Sequence, residues 1–204
     1  MPSSPVVHVI DDDSAVRQSL AFLLSTAGYA VRVHESAIAF LSALPAIQDG
    51  CVVTDIRMPG MDGLELQRQL QARKASLPVI VMTGHGDVAL AVQAMKAGAV
   101  DFIEKPFDDD VLLAAIRAAL ARHRQDAERA ALIADVDRRM NSLSHRERDV
   151  LLGLVAGKPN KAIAHDLGIS ARTVEVYRAN VMTKMHADSL SDLVRMAILS
   201  GVGQ

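Results

Sequence analysis

The sequence contains no tryptophan, and its four phenylalanines and two tyrosines make aromatics only 3% of 204 residues. The core must therefore be aliphatic, and there is little material for the aromatic stacking platforms of single-strand nucleic-acid binders. A single cysteine, Cys51, excludes a disulfide framework and any cysteine-based zinc site. No long apolar run exists: the longest, Val111–Ile116, falls far short of the roughly 18 residues a membrane span requires. The opening Met1-Pro2-Ser3-Ser4-Pro5 has no basic stretch leading into an apolar one, so no signal peptide is visible. These absences leave a soluble, cytoplasmic chain with no membrane partner. Its length allows one or two domains and a sizeable core.

An excess of charge of one sign is also lacking, since 22 Lys and Arg nearly balance 24 Asp and Glu for a net charge of −2. The balance is uneven along the chain, with −3 over residues 1–124, −1 over 125–142 and +2 over 143–204. The acidic part is the place to look for a metal, and the basic part for an anionic polymer.

What is present falls into two patterns. Short β-rich runs at Val6–Ile10, Ala30–Val33, Cys51–Thr54, Val79–Met82 and Val100–Ile103 read as buried parallel strands. Helical stretches at about 14–27, 36–44, 63–74, 87–97 and 108–123 follow them in turn. Gly28, Gly50 and Gly98 mark stops, and Ser14, Asp62 and Asp87 mark starts. Five successive βα units predict an α/β fold, a doubly wound five-stranded parallel sheet over residues 1–123. No glycine or proline occurs between Pro106 and Gly153. Residues 124–142 therefore read as a helical linker that continues the fifth helix to a break near Asn141-Ser142. Ile133, Val136, Met140 and Leu143 step along it as either a short coiled seam or one side of a solvated Ala-rich helix. Residues 143–204 show four helices and no strand, with a capping box at Ser144–Glu147.

Ligands of open α/β sheets bind outside the carboxyl ends of the strands. Here those ends bring Asp11-Asp12-Asp13, Asp55, Thr83 and, leading out of the fifth strand, Lys105. Converging carboxylates repel unless a cation joins them, and hard oxygens without His or Cys suit Mg²⁺ (or Mn²⁺). A hydroxyl and an ammonium complete a phosphate cradle. A dinucleotide site needs G-x-G-x-x-G after the first strand, where Asp-Asp-Asp-Ser stands instead. A haloacid-dehalogenase-like Mg²⁺-dependent phosphatase needs a second Asp two residues beyond its nucleophile, and Arg57 occupies that place.

The segments Val9–Asp13, Thr54–Gly60, Met82–Gly86 and Glu104–Phe107 resemble the signature of two-component receiver domains, in order and over residues 5–123. The resemblance implies a flavodoxin-like fold in which Asp55 becomes a 4-aspartylphosphate. Asp12, Asp55 and the Arg57 backbone carbonyl would bind the metal directly, with Asp11 acting through water. Lys105 would contact the phosphate, and the bond to Pro106 would be cis. Thr83 and Phe102 would form the switch, Phe102 being alternatively a plain core residue. Arg57 and His85 flank the site and are expected to tune the access of water to the acyl phosphate.

In the basic part, helices at about 160–167 and 170–185 are joined through Gly168 with helix-turn-helix spacing. Ile163, Leu167, Ile169, Val174 and Val181 would hold the pair together. Leu143–Glu147, Gly157–Ala164 and Ser170–Arg178 resemble the LuxR-type DNA-binding domain. The resemblance places Glu175, Val176 and Ala179 at base edges and Asn160, Lys161, Arg172, Thr173, Arg178 and Lys184 at or near the backbone. Glu175 could accept from a cytosine amino group or pair within the helix with Arg172 or Arg178. Leu190, Leu193, Val194 and Ala197 would pair two copies. As a whole the chain is similar to receiver–LuxR regulators of the FixJ type. That likeness implies a FixL-like sensor histidine kinase as phosphodonor, double-stranded DNA and RNA polymerase as partners, and nitrogen-fixation or microaerobic respiration genes as targets. It also implies a monomer that dimerises on phosphorylation. The same architecture serving unrelated genes, an aspartyl-phosphate phosphatase and a receiver-driven scaffold or RNA-binding adaptor are the alternatives.

Overall fold

A computed structural model describes residues 5–47, 49–84 and 88–202. The chain separates into two compact units, Met1–Gln125 and Asp126–Gln204. His85 and Asp87, both singled out from the sequence, lie outside the described residues.

The first unit is a five-stranded parallel sheet in the order β2-β1-β3-β4-β5. The strands are β1 Val6–Ile10, β2 Ala30–His34, β3 Cys51–Asp55, β4 Val79–Thr83 and β5 Asp101–Glu104. They alternate with α1 Ser14–Thr26, α2 Ala37–Ala43, α3 Gly63–Ala72, α4 Val88–Lys96 and α5 Asp109–Asn141. Successive strand residues point to opposite faces, so two cores form. Val7, Val9, Cys51, Val53, Ile80 and Met82 meet α1 and the Leu112, Ala115, Ile116, Ala119 face of α5. Ile10, Val52, Val79 and Val81 meet α2, α3 and α4.

The buried-strand reading holds for the three inner strands only. The outer strands β2 and β5 are largely exposed, because each lies at a sheet edge and has a neighbour on one side alone. Asp13, one residue before the expected Ser14, caps α1 by accepting from the Ala15 N–H. Asp62 caps α3 as expected. Gly50 stops no helix; it precedes β3, with the Val6 carbonyl where a side chain would stand.

The second unit contains α6 His145–Val155, α7 Asn160–Leu167, α8 Ala171–Met185 and α9 Leu190–Leu199. The end of α5 joins its core: Val136, Met140 and Leu143 are buried with Val150, Leu151, Ile163, Val174 and Val181. The apolar steps of residues 136–143 are thus filled by α6–α9 of the same chain, and neither a coiled seam nor a solvated helix describes them. Among the described residues no helix is long and apolar enough to cross a membrane.

Candidate functional site

The carboxyl ends of β1 and β3 deliver two acids into one polar pocket. Asp11 and Asp55 are buried at 2% and 9% exposure. Lys105 follows β5, the outer neighbour of β4, and its N–H donates to the Thr83 carbonyl at 2.8 Å. The turn continues through a cis bond between Lys105 and Pro106. From there Nζ reaches Asp55 Oδ1 at 2.6 Å and Asp11 Oδ2 at 3.0 Å. Burial disfavours the ammonium, but the hydrogen bonds and charges of Asp55 and Asp11 outweigh it and hold Lys105 above the ordinary lysine range. The remaining carboxylate oxygens are held by backbone, Asp55 Oδ2 by the Arg57 N–H at 2.6 Å and Asp11 Oδ1 by the Asp13 N–H at 2.9 Å.

The structure brings together two acids where sequence reasoning expected three or more. Asp12 is exposed, and no group of three His, Cys, Asp or Glu side chains gathers as a ligand set among the described residues. The reason is local. The backbone turns out of β1 after Asp11, so Asp12 faces solvent beside a cleft of about 400 Å³ that Arg57 and Asp62 also line. The donors still fit Mg²⁺: two hard carboxylates already share one cation, Lys105, and a second cation would relieve their repulsion further.

Thr83 is buried, and its hydroxyl donates to the Gly84 carbonyl at 3.1 Å. Phe102 is not a core residue; on the edge strand β5 it is 43% exposed. Sequence reasoning missed Arg17, whose Nη1 donates to the Asp11 and Asp12 carbonyls at 2.7 and 2.9 Å and so fixes the acidic turn. A cation one helical turn after an acidic loop was the available signal. It also missed Gly63, where a Cβ would stand 2.6 Å from the Asp55 carbonyl oxygen.

In the second unit α7 ends at Gly168 in the left-handed conformation, φ 65°, and Ser170 caps α8 by accepting from the Thr173 N–H at 3.1 Å. This short turn sets the two helices as a helix-turn-helix. Val174, Val181 and Met185 bury one side of α8. Glu175, Val176 and Ala179 are exposed on the other, where i and i+4 positions share a face. Arg172 and Lys161 are exposed too, and Thr173 is half-buried. Arg178 reaches Asn160 at 3.4 Å, joining the two helices.

Three residues depart from expectation. Leu193 and Ala197 are fully buried in the unit's own core and cannot present a pairing face. Along α9 only one side is open, with Leu190 and Ile198 39% and 54% exposed and Val194 half-buried. Lys184 is engaged: its Nζ donates to Glu147 Oε2 at 2.6 Å. That bond, then the Ser144 backbone bond, holds the Glu147 carboxyl below the usual range against the opposing effect of burial. The capping box showed Glu147 in the sequence, but nothing local pairs it with a residue 37 positions away.

Two family models match the chain: the response regulator receiver domain over residues 7–117 and the bacterial regulatory proteins of the luxR family over residues 141–197. The transcriptional regulatory protein FixJ of Azorhizobium caulinodans is 61% identical over 99% of this chain and 96% of its own length. Among solved structures, full-length FixJ from B. japonicum is 54% identical, covers 98% of both chains and gives a TM-score of 0.64. The response regulator StyR is 41% identical over 96% of this chain and 99% of its own, with a TM-score of 0.84.

Proposed function

The chain belongs to the FixJ-like response regulators, which regulate transcription in two-component systems through a receiver and a LuxR-type DNA-binding domain, and from that premise we propose that phosphorylation of Asp55 gates its binding to DNA. The observation that supports Asp55 is the Lys105 ammonium bridging it to Asp11 at the carboxyl ends of the inner strands.

The step that follows is a phosphoryl transfer from a phosphohistidine of the kinase. An Asp55 carboxylate oxygen adds in line to phosphorus, the phosphorus–nitrogen bond breaks, and the imidazole leaves with the bonding pair. Lys105 stays within reach of the developing equatorial charge, and the Arg57 N–H holds the second Asp55 oxygen so that the first is aimed. Asp11 and Asp55, with Asp12 and the Arg57 carbonyl at the same loop ends, would hold Mg²⁺, which supplies neutralisation of phosphoryl charge. Arg57 stands where the phosphatase would carry its second Asp, so that particular general base is missing, which favours an acyl phosphate that is held rather than turned over.

The new dianion attracts the Thr83 hydroxyl, which exchanges its bond to the Gly84 carbonyl for a phosphoryl oxygen. Binding of the phosphate thus biases a pre-existing equilibrium. Val92 and Met95 on α4, Phe102 on β5 and Val111 on α5 are exposed apolar residues, 43–50% open, and would supply a receiver dimer face. Dimerisation lets two DNA-binding units engage two half-sites, raising affinity by about 10²-fold through effective concentration. Asn160, Lys161, Arg172, Thr173 and Arg178 meet the DNA backbone, and Glu175, Val176 and Ala179 meet base edges. The similarity to FixJ proteins supports a FixL-like kinase, RNA polymerase as a further partner and nitrogen-fixation genes as targets.

Incubation with acetyl phosphate and Mg²⁺ tests this reading. A stoichiometric phosphoprotein, absent in Asp55→Asn and with strengthened duplex binding, is expected. Repeated turnover with phosphate release supports the phosphatase instead, and phosphorylation without duplex binding supports the adaptor.

A further inference from the structure

Two cations of the DNA-binding unit are engaged by protein groups at the end of α8, Lys184 with its side chain 40% exposed and Arg139 with its side chain 29% exposed. Lys184 lies in its last turn, and besides Glu147 its Nζ approaches the Ser142 carbonyl at 3.4 Å. The Glu147 side chain is 5% exposed and also accepts from the Ser144 N–H at 2.7 Å, so this ion pair closes the N-terminal cap of α6. One residue further on, the Met185 carbonyl accepts from Arg139 Nη1 at 2.9 Å. Arg139 projects from the last turns of α5 and pairs there with Asp135. A guanidinium at this place meets the negative end of the α8 dipole. Two different helices therefore grip the final turn of the helix that displays Glu175, Val176 and Ala179.

We propose that Lys184 and Arg139 are positioning residues for DNA recognition: they fix the axis of α8 against α6 and α5, and neither contacts phosphate. The proposal rests on the DNA-binding reading above. An ammonium committed to a buried carboxylate, and a guanidinium committed to a helix-end carbonyl and an aspartate, cannot be withdrawn for phosphate without leaving those groups unpaired.

The test uses the full chain, phosphorylated with acetyl phosphate, on a duplex it selects from a random-sequence pool and on a scrambled duplex of equal composition. Binding is measured against salt for wild type, Glu147→Gln, Arg139→Met and the neutral pair Glu147→Gln/Lys184→Met, with thermal melts showing each folded at the assay temperature. The expected result is a loss of about 10- to 100-fold on the selected duplex, the scale of a hydrogen bond to a charged group. Affinity for the scrambled duplex and the slope of log K against log salt stay at wild-type values. A phosphate contact would behave differently: its loss reduces the slope by about 0.9. Glu147→Gln, by freeing Lys184, would then strengthen binding. Either result overturns the proposal, as does an equal loss on both duplexes, which marks partial unfolding. If the double variant melts, Glu147→Gln and Arg139→Met decide between the same outcomes. A wild-type chain that binds no duplex in a salt-dependent way refutes the DNA-binding reading itself.

Discussion

Mild acid should destabilise the first unit through one buried residue, His8. It lies on β1 at 1% exposure, its Nδ1 3.1 Å from His34 Nε2 on β2. The two rings stack at 5.4 Å, and Phe40 meets both edge-on at 5.5 and 5.1 Å. A single proton serves the nitrogen–nitrogen contact; a second sets two donors against each other in an apolar site. Burial, then the charges of His34 and Arg32, bring His8 from 6.5 down to about 4. His34 is lowered as well, by burial and by Arg32. The unfolded chain therefore takes up protons first, so the stability of the neutral pair is complete above 6.5 and is lost as pH falls toward 4. For His8 alone the loss is about 2 kcal/mol at about pH 5 and about 3 kcal/mol below pH 4. Ordinary carboxylates titrate mostly below the upper part of that window. The assay is urea denaturation at a series of pH values from neutral to about 5. With no tryptophan to report, the amide NMR signals of β1 and β3 follow the unit. His8→Phe should flatten the pH dependence. Stability unchanged over this range in the wild type, or an equal slope in His8→Phe, would refute the reasoning.

Other perturbations probe the receiver site and the second core. Lys105→Met should slow phosphorylation of Asp55 by acetyl phosphate about 10²- to 10³-fold, the scale of one preorganised charge donor; a rate near wild type contradicts its role. Gly63→Ala puts a methyl 2.6 Å from the Asp55 carbonyl and 3.1 Å from the Ile56 Cα, both backbone atoms that cannot swing aside. Destabilisation of about 1–3 kcal/mol is expected in urea, with slower phosphorylation. Leu193→Ala should cost about 2–5 kcal/mol as a cavity in a fully buried position. Leu190→Ala, exposed on the same helix, should leave the melt close to wild type and lower only the affinity of two copies for each other, read by sedimentation of the phosphorylated chain.

The receiver was legible in the sequence because the inner strands are mostly apolar runs that end in a polar residue or lead straight into one, Asp11 just after β1 and Asp55 and Thr83 as the last residues of β3 and β4. Helix ends were legible where a side chain does the capping, as at Asp62 and Ser144. What periodicity could not show is which neighbour covers an apolar face. Val136 and Met140 repeat as a coiled seam does, yet they pack on α6–α9 of the same chain. Leu193 and Ala197 share a helix with exposed Leu190 and Ile198, and only the fold decides which side turns inward. Charge was ambiguous for the same reason. Lys184 reads from the sequence as a free cation, whereas the fold sets the buried carboxylate of Glu147 beside it. Asp12 reads from its neighbours as part of one buried acidic cluster, while the turn after β1 leaves it exposed at the rim of the site.

Footprinting on genomic DNA with and without acetyl phosphate tests the central claim most directly, with wild type and Asp55→Asn compared side by side. The account predicts protected sites that appear or sharpen on phosphorylation of the wild type and stay absent in Asp55→Asn. Protection that is the same in all four lanes, or none in any, would contradict it.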